Sequence, residues 1–264
     1  MAVVIIVVAA LIVAKVSTGT GQPKSGVTAS TAADAVVAKA SAVPLSAFDT
    51  VGVGTVSAFP VSAGGAPALT LNGLPRVFYA GAEYCPYCAT ERWAVVVAMS
   101  RFGAWTGLGE TRSSPSDVYP STATFTFHGA SFTGSAVAFS GYELQSNQVV
   151  NGTYATLDKL SSADQALMTK YDASPFFSSA GSIPFIDIGG KYLMNGASYS
   201  PQVLSGKDQA QIADALADPT SAIAKGVLGT ANVITAAVCR LTNNTPSSVC
   251  TSSGVTAAAA KLPS

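Results

Sequence analysis

Two cysteines in the tetrapeptide Cys85-Pro86-Tyr87-Cys88 are the residues of this chain best suited to do chemistry. An apolar run, Arg76-Val77-Phe78-Tyr79-Ala80, stands just before them, and a helix-like run from Ala89 to Phe102 follows. The order reads as strand, turn, Cys-x-x-Cys, helix. It places Cys85 at a helix N-terminus, where unpaired N–H groups and the helix dipole stabilise a thiolate. Cys88 lies one turn in, within reach of the first sulfur. Thiol–disulfide exchange is the chemistry open to such a pair: Cys85 attacks and Cys88 resolves. Pro86 suits the first helical position, where its missing N–H costs nothing. Tyr87 brings no cation to lower the thiol pKa, and Glu83 would, if anything, raise it.

Two other uses of the pair are open to the residues. A zinc site needs two further ligands. Cys239, Cys250 and His128 are the soft candidates, and none has the spacing of a second ligand pair. A permanent structural bridge is the other use, but so small a disulfide ring is tight and labile. His128, the single histidine, falls in the strand-like Phe125-Thr126-Phe127-His128 and reads as structural. Gly52-Val53-Gly54 lacks the third glycine of a dinucleotide fingerprint and reads as a turn. No cofactor or metal is expected.

Cys239 and Cys250 flank a turn-rich stretch and are expected to form a structural disulfide. Closing so short a loop stabilises by roughly 3 kcal/mol in the chain-entropy picture. Such a bridge favours an oxidising compartment. Charged residues are only 11% of the 264, in keeping with export, and the formal net charge is zero. No basic block is present, so nucleic acid is not an expected partner. Ala2 to Ala14 is uninterrupted and apolar, bounded by Met1 and Lys15. Its length suits the apolar part of a cleaved signal. No basic segment precedes it, and this favours a bilayer anchor through residues 2–14 whose native start lies upstream. The bulk of the chain is then expected outside the cytoplasm, on a single-pass tether.

The elements that must position the cysteines follow from local pattern. Val16 to Ser30 reads as a flexible stalk. Thr31 to Lys39 suits a short helix, and Leu45 to Val56 a linker. Ala68–Leu71 and Arg76–Ala80 read as strands joined by the hairpin turn Asn72-Gly73. Ser113–Pro120 is a loop, and Thr124–His128 and Ala136–Glu143 are strand candidates. Tyr154–Tyr171 has helical spacing. Pro184–Ile188 and Lys191–Met194 flank Gly189-Gly190 as short strands, and Asp208–Ala217 and Ser221–Leu241 read as helices.

The active-site segment Ala82-Glu83-Tyr84-Cys85-Pro86-Tyr87-Cys88 resembles that of the thioredoxin superfamily, and Cys-Pro-Tyr-Cys is the glutaredoxin form of the motif. The longer run Tyr84-Cys85-Pro86-Tyr87-Cys88-Ala89-Thr90-Glu91-Arg92-Trp93, with Ser100-Arg101-Phe102-Gly103, resembles a poorly characterised family of membrane-anchored, thioredoxin-like prokaryotic proteins, a domain of unknown function. The resemblance spans about Val51 to Cys250. It implies an α/β, thioredoxin-like fold with a helical insertion and extra C-terminal helices. Arg76–Ala80, Thr124–Phe127, Pro184–Ile188 and Lys191–Met194 are then expected in one central sheet. It also implies a cis Ile183–Pro184 bond facing the cysteines, with Ile183, Pro184, Pro86 and Tyr87 forming the substrate surface. Tyr79 stands where thioredoxins carry a buried carboxylate, so the acid–base helper and the direction of exchange stay open.

The expected organisation is an anchor or signal segment over 1–16, a stalk and linker over 17–50, the thioredoxin-like domain over 51–250, and a flexible tail over 251–264. The expected function is a membrane-tethered, extracytoplasmic thiol–disulfide oxidoreductase. Its partners would be cysteine-containing exported proteins and a membrane redox protein that resets the pair. The alternative is a non-catalytic accessory or assembly subunit of a membrane complex.

Overall fold

The computed structural model describes residues 31–264. The expected anchor or signal segment Ala2–Ala14 and the stalk Val16–Ser30 lie outside the described residues. Twelve strands and eight α-helices follow in order: α1 (Thr31–Ser41), α2 (Leu45–Val51), β1 (Val61–Ser62), β2 (Thr70–Leu71), β3 (Leu74–Gly81), α3 (Pro86–Met99), β4 (Gly103–Thr106), β5 (Gly109–Arg112), β6 (Ala123–Thr126), β7 (Ser131–Gly134), β8 (Ala138–Glu143), β9 (Gln145–Val150), β10 (Thr153–Thr156), α4 (Ser162–Tyr171), β11 (Phe185–Ile188), β12 (Tyr192–Asn195), α5 (Gln209–Ala215), α6 (Ala222–Leu241), α7 (Ser247–Cys250) and α8 (Ser253–Ala259). A short 3-10 turn, Pro201–Leu204, precedes α5.

The chain is a mixed α/β fold around one sheet. Its order is β8, β3, β11, β12, β1, with the short β2 hairpinned onto the start of β3. β3 is the centre: it runs parallel to β8 and antiparallel to β11. Val77, Phe78, Tyr79 and Ala80 are all fully buried, the near-continuous apolar run of a strand covered on both faces. α3 and α6 pack on one face, in a core that includes Tyr79, Trp93, Val97, Ile188 and Val227. α4 covers the other, over Phe78, Ala80, Phe185 and Leu193. The Arg76–Asp164 pair fastens α4 to β3 through bonds of 2.7 and 3.2 Å, and Tyr142 donates to the same carboxylate at 3.0 Å.

Several expectations require correction. Thr124–Phe127 does not enter the central sheet: β6 pairs with β5 in a separate hairpin. It lies against α3 instead, where Thr124 donates to the Ala89 carbonyl at 2.7 Å and Trp93 donates to Ala123 at 2.9 Å. The second long strand beside β3 is β8. The helix expected from Tyr154 begins at Ser162, capped by Ser161, whose hydroxyl accepts the Asp164 N–H at 3.1 Å. Residues 153–156 instead pair with β9 across the turn Asn151-Gly152, both at positive φ. The linker expected at Leu45–Val56 contains α2. Asn232 donates to the Phe48 and Gly52 carbonyls at its C-terminal end, at 2.9 and 2.8 Å. Arg101 lies 4.3 Å over the Phe48 ring. The stretch 31–51 therefore packs on the domain rather than standing off as a stalk. The tail expected over 251–264 holds α8, whose Val255 and Ala258 are buried.

α6 is long and apolar enough to cross a membrane, but 89% of its apolar window is buried within the protein. Cys239, near its end, is bonded to Cys250 with a Cα–Cα distance of 5.6 Å.

Candidate functional site

β3 ends at Gly81, and four residues later Cys85 caps α3 in extended conformation. Pro86 occupies the first turn of that helix and Tyr87 stands 41% exposed beside it. The Cys88 N–H, one of the orphan donors of the first turn, points at the Cys85 sulfur from 3.3 Å. Cys85 and Cys88 are free thiols. Cys85 keeps 5% of its surface accessible and Cys88 none.

The two thiols are pushed in opposite directions. Cys85 is lowered below the ordinary cysteine value, chiefly by its hydrogen bond with the Cys88 side chain, helped by the Cys88 N–H and the Arg92 charge, and opposed by burial. Burial drives Cys88 well above the ordinary value, and its interaction with Cys85 adds to this. The thiol with the lowered pKa is the one that more readily forms a thiolate.

The loop before β11 supplies the facing wall. The Ile183–Pro184 peptide is cis. The Cys85 sulfur lies 3.8 Å from the Ile183 carbonyl oxygen. Pro184 is buried, and Ile183, two residues before the start of β11, lies outside the ladder with β3. The structure thus brings together Cys85, Pro86, Tyr87, Cys88, Ile183 and Pro184. Cys239 and Cys250 belong to a separate place, the junction of α6 and α7.

Beneath Cys88 lies a group of residues that motif reading did not select. Arg92 follows Cys88 by four positions, on the same helix face. Its guanidinium bonds the Glu143 carboxylate at 2.6 Å, and both side chains are fully buried. Glu143 is the last residue of β8 and pairs in register with Gly81. Burial raises the Glu143 carboxyl above its ordinary range and Arg92 opposes that shift. Tyr79, on β3, is fully buried with a hydroxyl that has no hydrogen-bond partner. Its pKa is pushed well up, first by burial and then by Cys88. Arg92 favours the Cys88 thiolate and Glu143 disfavours it. The cation that Tyr87 does not provide therefore comes from Arg92. The spacing of four from Cys88 was a usable signal; Glu143, far along the chain, left none.

His128 lies in the turn after β6 and pairs with Asp158 at 2.7 Å. Asp158 also accepts the Glu143 N–H at 2.9 Å. A cleft whose lining mixes Glu83, Glu110 and His128 with Val150 and Leu157 shares Glu83 with the cysteine loop but contains neither cysteine. Among the described residues, no group of three or more His, Cys, Asp or Glu is placed to hold a metal.

Residues 65–240 match a family described as a domain of unknown function, DUF929. The chain belongs to that family. The DUF929 match runs from before β2 almost to the end of α6, so it contains both halves of the site, Cys85–Cys88 and Ile183–Pro184. Helices α1, α2, α7 and α8, with Cys250, lie beyond it. No curated protein matches the chain, and no solved structure does.

Proposed function

We propose that this DUF929 protein is a thiol–disulfide oxidoreductase of thioredoxin-like fold. The observation that carries the reading is the placement of the Cys85 sulfur. It sits at the N-terminus of α3, 3.3 Å from the Cys88 N–H and 3.8 Å from the carbonyl of Ile183. Topology supports the fold. Taken in chain order, β3, β8, β11 and β12 form a β-α-β unit followed by an antiparallel pair, arranged in space as second, first, third, fourth. Additions enlarge the fold both between its first and second core strands and between its second and third.

The exchange runs as follows. Cys85 thiolate attacks one sulfur of a substrate disulfide; that S–S bond breaks, and the other substrate sulfur leaves as a thiolate. Cys88 then loses its proton and attacks Cys85. The mixed disulfide breaks, the second substrate thiolate leaves, and two electrons have passed from the protein to the substrate. Run backwards, the same steps oxidise a dithiol. Arg92 stabilises the negative charge that Cys88 must carry in the resolving step. The backbone of Ile183, outside the β11 ladder, offers an edge on which an extended substrate segment can pair. A second thiol–disulfide couple, a membrane redox partner in this reading, must reset the pair.

The apolar run Ala2–Ala14 supports a membrane tether, and the Cys239–Cys250 bond supports an oxidising compartment and cysteine-containing exported proteins as substrates. The test is a pair of single substitutions. Cys85→Ser should abolish exchange with a small disulfide. Cys88→Ser should accumulate mixed disulfides through Cys85, visible on non-reducing gels of cells expressing it. If the native protein exchanges with no small dithiol or disulfide, the redox reading fails. The non-catalytic accessory subunit then takes its place.

A further inference from the structure

One aromatic cluster stands beside the redox pair. Tyr87, 41% exposed, meets Tyr119 edge-on with ring centroids 6.0 Å apart. Tyr119 belongs to the loop between β5 and β6, and its neighbour Val118 is 65% exposed. Exposed apolar side chains on a loop are ordinary when the loop is loose. This loop is fastened. The Ser114 N–H donates to the Tyr84 carbonyl at 2.8 Å, tying the loop to the turn that carries Cys85. The Tyr154 hydroxyl donates to the Ser114 hydroxyl at 2.8 Å, while the Tyr154 ring stacks on Tyr84 at 4.1 Å and an interplanar angle of 3°. The Tyr119 carbonyl is held from both sides, by the Ser113 hydroxyl at 3.1 Å and the Thr122 hydroxyl at 3.0 Å.

We infer that Tyr87, Tyr119 and Val118 form a subsite that receives the side chain next to the substrate cysteine, and that it selects an aromatic or aliphatic residue there. The inference rests on the redox reading and deepens it. The occupant is an extended segment of a disulfide-bearing polypeptide, bonded through its cysteine to Cys85. Rigid aromatic rings offer such a segment contact area with little loss of freedom. Charge narrows the occupant further. Glu83 precedes Cys85 by two residues, and Asp117 adjoins Val118 and lies within electrostatic reach of Tyr84. Arg112, at the base of the loop, is turned to the Ser121 carbonyl at 3.2 Å and the Gln209 side chain at 3.5 Å. The rim nearest the sulfur is therefore acidic, and basic flanks suit it better than acidic ones.

The test uses the full chain, reduced, and its second-order rate of exchange with three peptides. Each is a symmetric disulfide dimer of a peptide whose single cysteine is followed by Phe, Ser or Glu, so attack on either sulfur bonds the peptide to Cys85 and releases its twin as a thiolate. 2-Hydroxyethyl disulfide, a small linear disulfide, serves as a probe that needs no subsite. The native protein should prefer the Phe peptide over the Ser peptide by about 10-fold, the discrimination expected of one apolar contact. The Glu peptide should be the slowest. The Val118→Ser/Tyr119→Ser double variant should bring Phe and Ser within about 2-fold while its rate with 2-hydroxyethyl disulfide stays that of the native protein. Equal rates for the Phe and Ser peptides in the native protein would overturn the subsite, and so would a preference that survives the double variant. No exchange of the reduced protein with 2-hydroxyethyl disulfide, together with none of the oxidised protein with dithiothreitol, would instead overturn the redox reading, and the subsite with it.

Discussion

At the scale of residues, the site is a pair of sulfurs whose properties are set by what lies beneath them. Arg92 and Glu143 form an ion pair with no exposed surface, and the charges act on Cys88 with opposite signs. Removing the carboxylate in Glu143→Gln leaves the cation unopposed, so the Cys88 pKa should fall. Removing the cation in Arg92→Gln should make it rise. Following Cys88 alkylation against pH in a Cys85→Ser background measures both shifts. The two variants should also lose stability, because breaking a buried pair strands a charge; about 3 to 5 kcal/mol is the expected loss. Opposite movements of the thiol separate an electrostatic role from a merely structural one, in which both variants would unfold more easily and the thiol would stay where it was. If the Cys88 titration moves in the same direction in both variants, Arg92 and Glu143 do not tune it. Tyr79 sits in the same group, and its bulk is tightly fitted: a Cβ on Gly81 would lie 2.4 Å from its hydroxyl oxygen.

At the scale of elements, α8 joins α2 to α6 and the core. Val255 and Ala258 are buried, the Gly254 N–H donates to Asp49 on α2 at 2.8 Å, and Arg240 on α6 donates to the Ala259 carbonyl at 2.9 Å. Deleting residues 252–264 keeps the Cys239–Cys250 bond but should lower the unfolding free energy by about 3 kcal/mol, the worth of one or two buried aliphatic side chains. It should also open α2 to protease within Leu45–Val51. An unchanged denaturation midpoint would return the segment to the flexible tail that its Ala- and Ser-rich composition suggests. Elements of this kind show where sequence is readable. The β2–β3 hairpin was legible because Asn72-Gly73 demands positive φ at both positions, and both have it, at 51° and 79°. The start of α3 was legible because Cys85 and Pro86 are a cap and a first-turn proline. The choice between Thr124–Phe127 and Ala138–Glu143 as neighbour of β3 was not. Both stretches are rich in β-formers, and pairing with β3 is a long-range event that no local pattern records. α2 was missed for the same reason. Its short apolar stretch gains its partners, Asn232 and Arg101, from far along the chain.

At the scale of the whole molecule, buried carboxyls make stability depend on pH in a direction opposite to that of paired surface acids. Glu91, on α3, is fully buried and accepts the Ser198 N–H at 2.9 Å and the Ser198 hydroxyl at 3.0 Å. Burial outweighs these bonds and raises its pKa from 4.5 to about 7. Burial also raises Asp172 and Asp187 to about 6. Between the unfolded and folded values, the folded state holds more protons than the unfolded one, so stability falls as pH rises through that window. Well below pH 4 the difference vanishes, because both states are protonated; well above pH 7 the full penalty is present. Asp164, held low by Arg76 and its other hydrogen bonds against burial, acts in the opposite sense, and only below the ordinary aspartate value. The unfolding free energy should therefore be higher near pH 5 than near pH 7.5. Glu91 alone accounts for about 2 kcal/mol of that fall. Glu91→Gln keeps an acceptor for Ser198 but cannot ionise, so its stability curve should be flatter over this window, with the largest gain over the native protein at pH 7.5. Urea midpoints of the two proteins at pH 5 and pH 7.5 measure the difference. Parallel curves for the two would mean that Glu91 ionises without penalty, and that the contact between α3 and the segment after β12 does not depend on its proton.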